Sequence, residues 1–145
     1  RQSLQHQHRT TEQLADIERG AYILQDCDAT PAAILLATGS EVDLAVAAAR
    51  LLKDKGVPVR VVSLPCVDVF ASQPEDYRQR VLPAAVRNRV AIEAAQGDYW
   101  HKWVGLDGRV VGINSFGESA PGGELFREFG FTAAHIVAQV EDLIG

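Results

Sequence analysis

The chain alternates between short apolar runs and longer segments with helical spacing. Residues 32–37 are a continuous apolar run of the length typical of a strand buried on both faces, and the mainly apolar segments 57–63, 89–94 and 110–114 predict three further strands. Between the first two runs, residues 41–55 place apolar side chains on one face of a helix, at Val42, Ala45, Val46, Ala49 and Leu52. Residues 73–82 form a charged segment that predicts a second helix.

The two ends of the chain add further elements to this pattern. Residues 10–19 predict a short helix that stops at Gly20, and the apolar piece 21–24 predicts an edge strand. Near the other end, two helices are predicted over residues 121–128 and 133–144, separated by Gly130-Phe131-Thr132. The polar residues before the first helix indicate a linker.

Strands that alternate with helices predict parallel βαβ crossovers, with helices on both faces of the sheet. The fold class is therefore α/β, in the form of a three-layer α/β/α sandwich. In open sheets of this kind, ligands bind outside the carboxyl ends of the strands. Those ends fall at residues 38–41, 63–68, 93–98 and 114–119.

Two of these strand ends carry polar groups that have both a functional and a structural interpretation. The turn Thr38-Gly39-Ser40 leads into a predicted helix, whose free amides favour an anion, but Ser40 is also a suitable N-cap residue. Glu93 ends a buried strand, where it is either an acid–base group or a structural residue that caps the next segment or pairs with a neighbour. Neither the Rossmann nor the P-loop spacing of glycines is present.

The histidines and tryptophans also leave alternatives open. His6 and His8 form a metal site only if further residues complete the set of ligands. The alternative is that they are solvated residues of the linker. His101 and His135, the latter at the start of the last predicted helix, are interpreted as interface or cap residues. Trp100 and Trp103 share a helix face, which is typical of a core and also of a subunit contact.

Composition limits the classes of function. The 145 residues carry a net charge of −5, and the basic residues are scattered, which argues against a nucleic acid partner. No apolar run approaches the length of a membrane span, so no membrane partner is predicted and a cytoplasmic location is the default. Cys27 and Cys66 are interpreted as reduced thiols. The chain has no Met and starts at Arg1, which suggests a processed product or a fragment.

Taken in order, the local segments closely resemble the last part of bacterial transketolases over essentially the whole chain. The most specific of them are Gly20-Ala21-Tyr22-Ile23-Leu24, Ala37-Thr38-Gly39-Ser40-Glu41-Val42, Arg60-Val61-Val62-Ser63-Leu64-Pro65, Val90-Ala91-Ile92-Glu93-Ala94, Phe116-Gly117-Glu118-Ser119-Ala120-Pro121 and Glu128-Phe129-Gly130-Phe131-Thr132. The resemblance implies a mostly parallel five-stranded sheet with one antiparallel edge strand. It also implies that residues 1–19 are a linker and lead-in helix from a preceding pyrimidine-binding domain, and that residues 20–145 form the transketolase C-terminal domain.

The family resemblance implies a homodimeric enzyme that uses thiamine diphosphate and a divalent metal, Mg²⁺ or Ca²⁺. Such an enzyme transfers a two-carbon ketol unit from xylulose 5-phosphate to ribose 5-phosphate in the pentose phosphate pathway. The family's metal and cofactor motifs have no counterpart in this sequence, so the chain alone is expected to bind neither group, to contain no catalytic residue and to be inert.

Two sets of binding residues follow from the same resemblance. Arg1, in Arg1-Gln2-Ser3-Leu4, matches an arginine that holds the substrate phosphate in the parent enzyme. A regulatory anion site is expected at the strand-end residues Thr38, Gly39, Ser40 and Glu93.

Two alternative hypotheses apply to the whole chain. One is a free-standing anion- or nucleotide-binding regulatory module of the doubly wound type. The other is the C-terminal domain of a related thiamine-dependent enzyme, either pyruvate dehydrogenase or deoxyxylulose phosphate synthase. The segment Phe116-Gly117-Glu118-Ser119-Ala120-Pro121 and the pair Arg1-Gln2 favour transketolase over the latter.

Overall fold

The computed structural model describes residues 9–39, 41–93, 100–112 and 122–145, without the side chains of residue 101 and residues 122–131. The elements in chain order are α1 (Thr11–Asp16), a 3₁₀ turn (Ile17–Arg19), β1 (Tyr22–Gln25), β2 (Ala33–Ala37), α2 (Glu41–Asp54), β3 (Val59–Ser63), α3 (Val67–Ala71), α4 (Glu75–Val81), β4 (Arg89–Glu93), α5 (His101–Val104), β5 (Arg109–Gly112) and α6 (Gly122–Ile144).

Five strands form one sheet in the order β1-β3-β2-β4-β5. The pairs β2–β3, β2–β4 and β4–β5 are parallel, whereas β1 runs antiparallel to β3 at one edge. The register of β1 against β3 shifts between Ile23 and Gln25. The mostly parallel five-stranded sheet with one antiparallel edge strand is thereby confirmed.

Helices cover both faces of the sheet, and each face has its own core. One core joins Leu35 and Ala37 of β2 to side chains of α2 and α6. The other joins Ile34 and Leu36 of the same strand to side chains of α3, α4 and α5. The alternation of neighbouring residues between the two cores follows from the period of two in a strand. The three-layer α/β/α sandwich is confirmed.

Helix α6 corrects one prediction. The sequence predicts two helices with a break at residues 130–132, but α6 runs without interruption over 23 residues. His135 therefore lies inside this helix and is exposed, so it does not open the last helix. The side chains that hold the second half of α6 in the core are Ala133, Ile136, Val137 and Val140. Their burial outweighs the cost of a helical glycine, about 1 kcal/mol.

The first helix, α1, packs against the antiparallel edge strand. Thr10 and Gln13 form a capping box at its N-terminus. The Gln13 side-chain amide also donates hydrogen bonds of 2.9 Å to the carbonyl oxygens of Ile23 and Leu24 in β1. Two main-chain carbonyl groups of the edge strand thereby receive hydrogen bonds from the segment that precedes the strand.

Candidate functional site

The carboxyl ends of the parallel strands meet at one edge of the sheet. Ala37 lies opposite Ser63 on β3, and Glu93 lies opposite Gly112 on β5. Ser63 and Glu93 are buried polar residues, with 5% and 6% of their surfaces exposed. The structure therefore brings together the ends of β2, β3 and β4 that the sequence singled out, whereas the predicted end at residues 114–119 lies outside the described residues.

The turn after β2 is the first part of this edge. The amide of Glu41 donates to the carbonyl of Thr38, and the amide of Val42 donates to the carbonyl of Gly39, each over 3.2 Å. Gly39 has a φ of +60°, a conformation that glycine adopts without a steric cost. Glu41 and Asp43 place two carboxylates in the first turn of α2.

Glu93 is the second part of this edge. The indole Nε1–H of the fully buried Trp100 donates a short hydrogen bond to its carboxylate. Trp100 is thus a core residue. Trp103 is partly buried, and the centroid of its ring lies 5.3 Å from the centroid of the Phe70 ring. Of the two readings of Glu93, the structure shows the partner of a neighbouring side chain.

Several predicted site residues lie outside the described residues. These are Arg1, His6, His8 and Ser40, together with most of the predicted ligand positions at 93–98 and 114–119, and the side chain of His101. Within the described ranges, no group of three or more His, Cys, Asp or Glu side chains could hold a metal ion. Cys27 and Cys66 are both free thiols.

The opposite end of the sheet contains a cleft that sequence reasoning missed. It has a volume of about 590 Å³ and lies between the β1–β2 loop, the second half of α2 and the turn into β3. Its charged lining residues are Asp26 and Asp28 on the loop and Arg50 and Lys53 on α2. The signal available in the sequence was the three-residue spacing of Arg50 and Lys53 on one helix.

Arg89 is a partly buried cation with a structural role. Its guanidinium donates to the carbonyl oxygens of Leu82, Pro83, Val86 and Trp103 over 2.7–3.2 Å. Burial lowers the pKa of this side chain below its ordinary value. Because its donors are taken by main-chain carbonyls, Arg89 fixes the chain around β4 and is not available for a ligand.

No helix in the described part of the chain is both long enough and apolar enough to span a membrane.

Comparison with known proteins decides the family. The model of the transketolase-like C-terminal domain matches residues 20–132. The chain belongs to the transketolase C-terminal domain family. Transketolase 1 of Vibrio cholerae is 55% identical over 144 residues, which cover 99% of this chain and 22% of that protein. The chain thus spans about a fifth of the length of the curated transketolases it matches.

Solved transketolases share the fold. The structure of transketolase from Leishmania mexicana has a TM-score of 0.75 and 40% identity over 90% of this chain and 19% of that one. A complex of the Pichia stipitis transketolase with sedoheptulose 7-phosphate has a TM-score of 0.76 and 32% identity over the same shares. The transketolase-type sheet expected from the sequence is therefore confirmed.

Proposed function

We propose that this chain is the C-terminal domain of a transketolase that transfers a two-carbon ketol unit from xylulose 5-phosphate to ribose 5-phosphate. The observation that carries the proposal is 55% identity to Vibrio cholerae transketolase 1 over 99% of the chain. The substrate class is supported by the Pichia stipitis relative, which was solved in complex with sedoheptulose 7-phosphate, a sugar phosphate.

The described residues do not fit the family's cofactor. A divalent metal with thiamine diphosphate needs several oxygen ligands, and no cluster of His, Cys, Asp or Glu side chains suitable for a metal exists among the described residues. In this proposal, thiamine diphosphate and Mg²⁺ or Ca²⁺ are bound by other domains of the transketolase, and the isolated chain is inert.

The proposed role of the domain is architectural, as a support for the homodimer of a cytoplasmic enzyme. The two filled cores on either side of the sheet are consistent with a rigid scaffold. Residues 1–19 are proposed to lead in from a pyrimidine-binding domain, and residues 20–145 to form the C-terminal domain. Contacts of Gln13 with β1 support a lead-in helix that is docked on this domain.

Two binding roles remain predictions. Arg1 is proposed to hold the substrate phosphate in the parent enzyme, and replacement of Arg1 by Gln there should raise the KM for xylulose 5-phosphate. A regulatory anion site is proposed at Thr38, Gly39, Ser40 and Glu93, although the nearby Glu41 and Asp43 in the first turn of α2 carry carboxylates that oppose an anion. Any anion bound there would depend on main-chain amides.

A domain exchange tests the proposed function. The C-terminal domain of Vibrio cholerae transketolase 1 is replaced by residues 20–145 of this chain, and ketol transfer is measured with both sugar phosphates, thiamine diphosphate and Mg²⁺. We expect a folded dimer that keeps activity within about tenfold of the parent, because the exchanged domain supplies no reactive group.

The control is the Vibrio cholerae enzyme with the C-terminal domain deleted, in which the loss of dimer and activity is expected. A chimera that folds and dimerises but has lost ketol transfer would contradict the proposal.

A further inference from the structure

The cleft at the amino ends of β2 and β3 is a second candidate site, at the opposite end of the sheet from the predicted anion site. Its base is apolar and includes Ala49, Val57 and Val59. A volume of about 590 Å³ is within the range of small-molecule sites. The cleft is therefore large enough for a metabolite of the size of a sugar phosphate.

Hydrogen bonds fix the loop that forms one wall of this cleft. Arg60 binds both carboxylate oxygens of Asp26 through Nε and Nη2, at 3.0 and 3.2 Å. Asp26 also accepts from the amide of Cys27, and the Cys27 thiol donates to the carbonyl of Ala29 over 3.2 Å. Because these contacts fix the position of the loop, this wall of the cleft is preorganised.

The opposite wall carries two cations that have no partner in the described part of the chain. Arg50 and Lys53 lie three residues apart on α2 and are both exposed. Neither forms an ion pair or a side-chain hydrogen bond with a described residue, whereas Lys55 nearby is paired with Glu141 over 3.1 Å. Although the chain has a net charge of −5, two unpaired cations on one wall of the cleft create a local region of positive electrostatic potential.

The C-terminal end of α2 beside the cleft is capped by main-chain hydrogen bonds. The carbonyl of Leu52 accepts hydrogen bonds from the amides of Lys55 and Val57, and the carbonyl of Lys53 accepts from the amide of Gly56. Carbonyls of the last turn are thus already paired, which reduces the negative potential that an anion would meet there. With Asp26 neutralised by Arg60, Asp28 is the remaining carboxylate of the lining.

We propose that this cleft binds a small metabolite that carries an oxyanion, either a phosphate or a carboxylate. The oxyanion is held by Arg50 and Lys53 through charge-assisted hydrogen bonds. The rest of the ligand lies over the apolar base, and a hydroxyl or ammonium group faces Asp28. The site is separate from the proposed ketol-transfer function, which it does not require.

Calorimetric titration of the 145-residue chain at low salt tests this proposal with inorganic phosphate, glycerol 3-phosphate and succinate as probes. We expect saturable binding of at least one probe, and the comparison of phosphate with carboxylate probes identifies the oxyanion. The double variant R50Q/K53Q should weaken that binding at least tenfold. D28N should strengthen the binding of inorganic phosphate and succinate severalfold, because these probes carry no alcohol or ammonium group to face Asp28 and a carboxylate that repels the oxyanion is removed.

The matched control is K55Q/R87Q, which changes the net charge equally but removes cations paired with Glu141 and Asp107 outside the cleft. The affinity of this control variant for the probe should stay within about twofold of the affinity of the unmodified chain. Equal losses in both double variants would show that only net charge matters and would overturn the proposal. Absence of saturable binding for all three probes would overturn it as well.

The two thiols provide an independent local readout in the unmodified chain. Cys27 lines the cleft, whereas the exposed Cys66 precedes α3, beyond the carboxyl end of β3. A bound probe should slow alkylation of Cys27 by N-ethylmaleimide and leave the rate at Cys66 unchanged, as measured by mass spectrometry of the peptides. Equal rates at Cys27 with and without saturating probe would place the ligand elsewhere and overturn the assignment.

Discussion

At the residue scale, Gly20 is the position with the least tolerance for a side chain. Its φ is +90°, and an added Cβ would lie 2.4 Å from both the carbonyl oxygen of Cys66 and the amide nitrogen of Phe70. The amide of Cys66 also donates to the carbonyl of Gly20 over 3.0 Å. The chain therefore passes against the start of α3 at a distance that only glycine allows.

Replacement of Gly20 by Ala should lower the free energy of unfolding by about 3 kcal/mol, through backbone strain and a clash with main-chain atoms. Gly56 is the matched control, since its φ is +80° but a Cβ there would meet no atom within 4 Å. Gly56→Ala should cost only about 1 kcal/mol. Urea denaturation measures both, and equal losses would contradict the close approach at Gly20.

Tyr77 couples stability to alkaline pH. Its hydroxyl donates to the carbonyl of Ala21 over 2.7 Å, and burial, with a smaller contribution from Asp16, raises its pKa above the ordinary value of 10.0. A phenol with a raised pKa in the folded state binds its proton more tightly there than in the unfolded chain. Its contribution to stability is therefore complete below pH 10 and is lost as the pH rises through the folded pKa.

We expect the free energy of unfolding of the unmodified chain to fall more steeply above pH 10 than that of Tyr77→Phe. At neutral pH, the variant should be less stable by about 1–2 kcal/mol, because the Ala21 carbonyl loses its donor. Chemical denaturation at a series of pH values between 8 and 11 measures both effects. Parallel pH curves for the two proteins would contradict the account.

At the scale of elements, the buried strands were the most predictable part of the fold. Residues 32–37 are a continuous apolar run and residues 89–94 have an apolar centre, and the structure places strands at Ala33–Ala37 and Arg89–Glu93. Helix α3 was missed, because its five residues, Val67-Asp68-Val69-Phe70-Ala71, are too few to establish a helical period and include two β-branched valines. It forms where Phe70 is buried beside Tyr77 of the next helix and beside Trp103, which is distant in sequence.

The lead-in helix gives a test at the same scale. Gln13→Ala removes the capping box of α1 and two hydrogen bonds to β1, so the free energy of unfolding should fall by about 1–2 kcal/mol. Amide hydrogen exchange should become faster in α1.

The neighbouring Glu12 is exposed and has no side-chain hydrogen bond or ion pair with the described residues, so Glu12→Ala is the control. It should change stability by less than about 0.5 kcal/mol. If both variants exchange at the same rate as the unmodified chain, the helix does not depend on its contact with the edge strand.

At the scale of the whole molecule, the sequence predicted one end of the sheet better than the other. The strand ends at Thr38 and Glu93 follow directly from the apolar runs before them, so their position at a common edge could be inferred from topology. In the cleft, Arg50 and Lys53 face the loop around Cys27, and this arrangement depends on how α2 packs on the sheet. No local pattern specifies such packing.

The central claim is that this chain supplies a scaffold and that the groups that react with substrate lie elsewhere in a transketolase. Its most direct test is a ketol-transfer assay of the purified 145-residue chain with xylulose 5-phosphate, ribose 5-phosphate, thiamine diphosphate and Mg²⁺, with full-length Vibrio cholerae transketolase 1 as the positive control. We predict no sedoheptulose 7-phosphate above the level of an assay without protein. Turnover by the chain alone that depends on thiamine diphosphate would contradict the claim.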